Sequence, residues 1–228
     1  AKDALLIDAG RDLNVITGTN TTTAGARTAT TLDRVAGLYV TNPSGTLSVN
    51  AANTINLAAA NIQSAGNIAM SADNINLTTL TTSNQQRVNL SGSNYLNQTS
   101  SSDVGATITA GGNISLNASN QIVGVAANIT GASAVSLSGG NAVTLLAGQN
   151  TSYVDTNITT GSKSLTSSQS NTQSQSASST ALGTSVTGCN VSITSSMGNI
   201  TLQAANINAT NALNLSAVNG TVALTSAN

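Results

Sequence analysis

Pairs of aliphatic residues separated by a single position recur along this chain at near-constant intervals, and no other feature limits its fold as tightly. One block carries Leu47/Val49, Ile55/Leu57, Ile62, Ile68/Met70 and Ile75/Leu77. A second carries Ile114/Leu116, Ile122, Ile129, Val135/Leu137 and Val143/Leu145, and a third Val191/Ile193, Ile200/Leu202, Ile207, Leu213/Leu215 and Val222/Leu224. Successive anchors lie 8, 7, 6 and 7 positions apart in the first block, 8, 7, 6 and 8 in the second, and 9, 7, 6 and 9 in the third. Leu5/Ile7 and Leu13/Val15 are the tail of an earlier block. Each full block is preceded by one more strand-like piece: GLYVT (37–41), ATITA (106–110) or TSVTG (184–188).

An apolar residue at every second position marks a strand with one buried face. The strands here are short, roughly 3–5 residues, and are separated by small polar corners such as NA, GG, SA and AN. Three of them make a coil of about 20–22 residues, the unit of a parallel β-helix whose coils stack ~4.8 Å apart. An antiparallel meander would need a two-residue reversing turn such as Asn-Gly at each corner, and that pair occurs only at Asn219-Gly220. The pattern therefore predicts an all-β fold, a parallel β-helical solenoid of about seven coils and ~30–35 Å of rod, with residues 1–228 forming a single repeat segment. Asn, Ser and Thr fall at corners and on the outer face, where they can stack in ladders along the axis.

Three polar excursions interrupt the rhythm at the same point of each block, over about 17–36, 79–105 and 147–183. They are low-complexity Ser/Thr/Asn/Gln tracts, yet they hold most of the unusual side chains, among them Arg27, Asp33, Arg34 and Asp103. Arg87, Tyr95, Tyr153, Asp155 and Lys163 also lie there and are the candidate contact residues. In the third excursion Ser168, Ser170, Ser174, Ser176 and Ser178 alternate with Gln169, Asn171, Gln173, Gln175 and Ala177, a period of two with both faces polar. A long hairpin arm or a mobile loop is the simplest reading of such composition. A docking strand is the sharper one, because a flat polar edge accepts another strand. A transmembrane strand fits worst, since its lipid-facing side should be apolar.

Composition removes several classes of function. The chain has 228 residues, of which 6% are charged and 1% aromatic, and it contains no His, Trp, Phe or Glu. Regularly placed Ile, Val and Leu separate it from disordered chains of similar polarity. A net charge of −1, with no basic patch, leaves little attraction for nucleic acid. Cys189 is the single cysteine, so no intramolecular disulfide or cysteine zinc site can form; it is expected as a small buried thiol. The calcium-binding nonapeptide GGxGxDxUx is absent and acids are sparse, so no metal site is expected.

Some parallel β-helices are polysaccharide lyases or hydrolases, whose sites need clustered carboxylates or a basic side chain on one coil face. Asp8 and Asp12 with Arg11 are the nearest cluster and read as a corner ion network. Without His, the usual nucleophilic triads are unavailable. No catalytic, cofactor-binding or metal-binding residue is expected, and the chain is read as not an enzyme. No apolar run reaches the ~18–20 residues of a membrane-spanning helix. The opening AKDALLIDAG lacks the form of a signal peptide, so the chain is read as an internal fragment of a longer protein.

The phrases AGRDLNV (9–15), AGLYVTNPSGTLSVNAANTINLAAANIQSAG (36–66), AGGNISLNASNQI (110–122) and LLAGQNT (145–151) resemble the haemagglutinin repeats of filamentous-haemagglutinin-type exoproteins. These are the large secreted partners of two-partner secretion systems and include contact-dependent growth inhibition toxins. The alternation of a two-coil block with a Ser/Thr-rich excursion is similar to the second repeat region of that family. SADNI (71–75) keeps the Asp of the family's AGxD corner at Asp73, whereas NASNQ (117–121) and SGGNA (138–142) carry Asn instead.

The resemblance implies a right-handed β-helical rod without cofactors, secreted through a dedicated outer-membrane transporter and displayed at the bacterial cell surface in association with the outer membrane. It implies as partners that transporter and the outer membrane or a surface receptor of a target cell. The function it implies is a structural, membrane-engaging segment that helps deliver a C-terminal toxin. The alternative is a stalk or adhesive segment with no translocation role. The isolated segment is expected to be a monomer and to bind no nucleic acid.

Overall fold

The computed structural model describes residues 1–162 and 164–227, and these form a right-handed parallel β-helix. Its three faces follow from the aliphatic spacing. On the first face Leu5, Leu47, Ile68, Ile114, Val135, Val191 and Leu213 lie in one column, each in parallel register with the next. The second face stacks Leu13, Ile55, Ile75, Ile122, Val143, Ile200 and Val222. The third stacks Leu38, Ile62, Ile108, Ile129, Val186 and Ile207. Two faces thus have seven levels and the third has six, in line with the count expected from the anchors.

Columns of like residues in parallel register fill a narrow interior without aromatic rings. Leu116, Leu137, Leu145 and Ile129 are fully buried, and each such side chain contributes roughly 1.5–3 kcal/mol through burial. The ends differ. In the last coil Leu213 is 50% and Leu224 68% exposed, because nothing stacks on their outer side.

Outside the coil, asparagines form the expected ladders. Asn56 Nδ2 donates to Asn14 Oδ1 at 2.8 Å and Asn76 Nδ2 to Asn56 Oδ1 at 2.9 Å. At the corner between the first and second faces, Asn120 donates to Asn74 and Asn141 to Asn120, each at 2.7 Å. An amide both donates and accepts, so it can continue such a column. A carboxylate only accepts, and carboxylates one coil apart would repel. This accounts for asparagine rather than an acid at positions 120 and 141, and for Asp12 standing at the end of its column, accepting from Asn53 at 2.7 Å.

The corner between the second and third faces has two forms that alternate along the axis. In the second, fourth and sixth coils it is a tight Ala-Ala-Asn turn whose first residue, Ala59, Ala126 or Ala204, has φ of 46°, 47° or 48°. In the first, third and fifth coils the chain instead leaves the helix as a hairpin. The hairpins are Thr19–Ala24 with Arg27–Leu32, Leu80–Asn89 with Tyr95–Val104, and Gly148–Thr160 with Ser170–Leu182. Gly105 and Gly183 receive the returning strands. A Cβ at either would collide with the carbonyl oxygen of Ala126 or Ala204 in the next coil's tight turn, so the two corner forms interlock.

The three hairpins pair with one another into a single six-stranded antiparallel sheet. The second meets the first from Ser83↔Thr30 to Gln86↔Arg27, and the third from Tyr95↔Asn157 to Ser102↔Asn150. Sequence reasoning leaves each excursion as a separate arm or loop, and this mutual pairing is the main addition the structure makes. Its physical basis is a match of lengths. Two coils rise ~9.6 Å along the axis and a two-stranded hairpin is ~9.6 Å wide. Hairpins on successive coils would contend for one space, whereas hairpins on alternate coils meet edge to edge.

Cys189 departs from the buried thiol expected of it. It is half-buried, at the irregularity between Gly188 and Asn190 where the chain turns from the third face to the first, outside the aliphatic columns.

Candidate contact surface on the hairpin sheet

The hairpin sheet gathers three of the residues singled out by their rarity. Arg87 pairs with Asn97, Asn97 with Asp155, and Tyr95 with Asn157, so alternation along the strands puts all five side chains on one face. The Tyr95 hydroxyl donates to Asp155 Oδ2 at 3.2 Å. The Arg87 guanidinium carbon lies 5.6 Å from the centre of the Tyr95 ring, within cation–π range. Desolvation, followed by the charge of Asp155 and the hydrogen bond to it, raises the Tyr95 hydroxyl above its ordinary value, while Arg87 acts in the opposite direction. Tyr95 therefore remains a neutral donor at any physiological pH.

Tyr153 lies two positions from Asp155 on the same face, 36% exposed and opposite Thr99. Lys163 lies outside the described residues. Several residues that sequence reasoning passed over hold the cluster. Asn157 is buried and donates through Nδ2 to the Ser93 carbonyl at 3.0 Å. Its Oδ1 and that of Asn97 are buried acceptors without a partner among the described residues. Asn94 clamps the third hairpin twice, donating to the Thr159 carbonyl at 3.2 Å and accepting from the Thr159 N–H at 2.7 Å. In a chain this rich in asparagine nothing in the sequence sets these positions apart.

Charged groups elsewhere on the sheet are ties between hairpins. Asp103 accepts from Thr81 Oγ1 at 2.6 Å and from the Gln149 N–H at 2.9 Å, holding the second hairpin to the third near the coil. Arg27 Nε donates to Asn84 Oδ1 at 2.7 Å, joining the first to the second. On the coil, Arg11 pairs with Asp12 at 3.2 Å, with Arg11 83% exposed, while Asp8 accepts from Asn50 at 3.0 Å. Such an exposed ion pair contributes about 0–1 kcal/mol.

The solenoid throws its three excursions to one side and fuses them into one sheet, in which Arg27, Asp103 and Asp155 tie strands together. The chain belongs to the hemagglutinin repeat family, which matches it over residues 88–168 and again over 164–228, and is a structural repeat segment of a secreted, adhesin-like exoprotein of the cell surface. No curated protein and no solved structure matches it.

Proposed function

We propose that this segment is a rod that holds its hairpin sheet out as an adhesive contact surface, within a longer filamentous-haemagglutinin-type exoprotein exported by the transporter of a two-partner system. The observation that carries the reading is the fusion of three hairpins into one sheet on one side of the coil. That arrangement concentrates hydroxyl and amide groups, with Arg87, Tyr95, Tyr153 and Asp155, where a surface receptor or the outer membrane of a target cell would meet them. A solenoid whose coils contact only their neighbours can also fold coil by coil during export.

A second reading gives the sheet a part in outer-membrane engagement and in delivery of a C-terminal toxin during contact-dependent growth inhibition. It is favoured by the scarcity of charge: the six strands of the sheet carry only Arg27, Arg87, Asp103 and Asp155. Against insertion stands the polarity of both faces, because a lipid-facing strand needs apolar alternation.

Flotation separates the two readings. The segment is mixed with outer-membrane vesicles or with protein-free liposomes, intact or with residues 147–183 replaced by a short turn. Adhesive display predicts co-flotation with the vesicles alone, lost on trimming. Co-flotation with bare liposomes supports membrane engagement. Equal flotation of the trimmed form would move the contact to the coil wall and overturn both.

A further inference from the structure

We infer that the junction between the first and second hairpins is a built-in opening point of the sheet, which parts while the junction between the second and third stays closed. Both junctions lie between segments of this chain, so the two compare directly. The first is in register over four residue pairs, from Ser83↔Thr30 to Gln86↔Arg27. The second is in register over eight, from Tyr95↔Asn157 to Ser102↔Asn150.

Side-chain ties divide in the same way. Among the described residues, the one side-chain hydrogen bond across the first junction runs from Arg27 to Asn84. A backbone bond from the Arg87 N–H to the Ala26 carbonyl at 2.9 Å extends that ladder by one step. Across the second, Ser101 and Thr151 bond at 2.7 Å and Ser102 donates to Asn150 at 2.6 Å, besides the bonds of Tyr95, Asn94, Asn157 and Asp103 described above.

The cause lies at the foot of each hairpin. The third hairpin starts at Gly148 and the second at Leu80, each three positions after an inward leucine, Leu145 or Leu77. A Cβ at Gly148 would meet Ala126 and Asp103 at 3.0 Å, so glycine lets the third hairpin seat against the tight turn beside it. There Asp103 accepts the Gln149 N–H. Leucine at the same point of the second hairpin prevents so close an approach. Residues 80–82 and 31–32 run on toward the wall without pairing to each other. At their foot lies a cavity of about 270 Å³, lined by Leu32, Val35, Ala59, Ala60 and Val104. Asp33, which stands five positions before Leu38 as Asp103 does before Ile108, bonds within its own hairpin, its N–H donating to the Gly18 carbonyl at 2.9 Å.

A short seam above a cavity opens more readily than a long, tied one, because opening it releases fewer hydrogen bonds and less packing. The first hairpin keeps its own ladder when the seam parts, including the Thr21–Thr30 and Thr23–Thr28 hydroxyl bonds, and so moves as a unit. Parting uncovers the backbone donors and acceptors of residues 83–86.

Native-state hydrogen exchange on the full chain in low urea, read residue by residue, tests the inference. Amides that bridge the first junction, within 27–30 and 83–86, should be at least about tenfold less protected than those that bridge the second, within 95–102 and 150–157. Arg27→Ala should quicken exchange across the first junction about three- to tenfold and leave the second unchanged. Equal protection at the two junctions overturns the inference. So does an Arg27→Ala variant that quickens both alike, since the sheet would then open as one body.

Discussion

The coil wall and the hairpin sheet are built from the same backbone chemistry, yet different forces set their registers. In the wall, columns of Leu, Ile and Val must point inward, so a slip of one residue would turn a whole strand inside out. In the sheet both faces are polar, and side-chain burial says little about register. What aligns the hairpins is the wall beneath them, which launches one every two coils, together with ties such as Asp103 to Thr81 and Gln149. The wall folds on its own sequence, and the sheet takes its spacing from the wall.

The largest expected effect lies within a single column of the wall. Leu145, Leu202 and Leu224 stack in register on the second face, the first fully buried and the last 68% exposed. Leu145→Ala should cost about 2–5 kcal/mol, while Leu224→Ala should cost less than about 1 kcal/mol, read as shifts of the urea midpoint. Equal losses would mean that the last coil is covered in solution. Next is removal of the second hairpin, residues 80–104, in favour of a tight Ala-Ala-Asn corner. The wall should keep its circular dichroism, while the amides of Gly148–Thr160 that faced Tyr95–Val104 lose protection. If they stay protected, the third hairpin does not depend on its neighbour.

Corner substitutions should act in opposite directions. Gly183→Val drives a side chain into the Ala204 carbonyl and should destabilise by about 1–3 kcal/mol. Ala126→Gly relieves a left-handed alanine and should be neutral or stabilising by up to about 1 kcal/mol; thermal melts give both signs. The smallest effect belongs to the contact cluster. Tyr95→Phe removes the hydroxyl bond to Asp155 and should quicken exchange near Asn157 with little change in melting temperature. High pH should act similarly. The Tyr95 hydroxyl is raised above its ordinary value of 10.0, so its contribution is complete below that pH and is lost as pH climbs through the higher folded value.

These differences also explain what was legible in the sequence. The anchors Ile55, Ile75, Ile122, Val143 and Ile200 could be placed on one face because their spacing is a direct record of burial. The tight corners carry a partial signal: Ala-Ala-Asn at 59–61, 126–128 and 204–206 falls in the coils that carry no hairpin, but the same triplet at 51–53 forms a different corner. The gathering of Arg87, Tyr95 and Asp155 was not readable, because it depends on the pairing of two hairpins far apart in the chain, whose polar strands would suit many registers. Asn97 and Asn157 were hidden by the abundance of asparagine.

The central claim is that the three excursions form one hydrogen-bonded sheet in register with the two-coil rise. Residue-resolved hydrogen exchange on the dilute chain tests it most directly. The account predicts slow exchange at both sets of amides over the doubly paired residues Ser83–Gln86, Tyr95–Ser102 and Asn150–Asn157, with alternate amides fast in Ser170–Leu182. Uniformly fast exchange through all three excursions, with a protected wall, would contradict it.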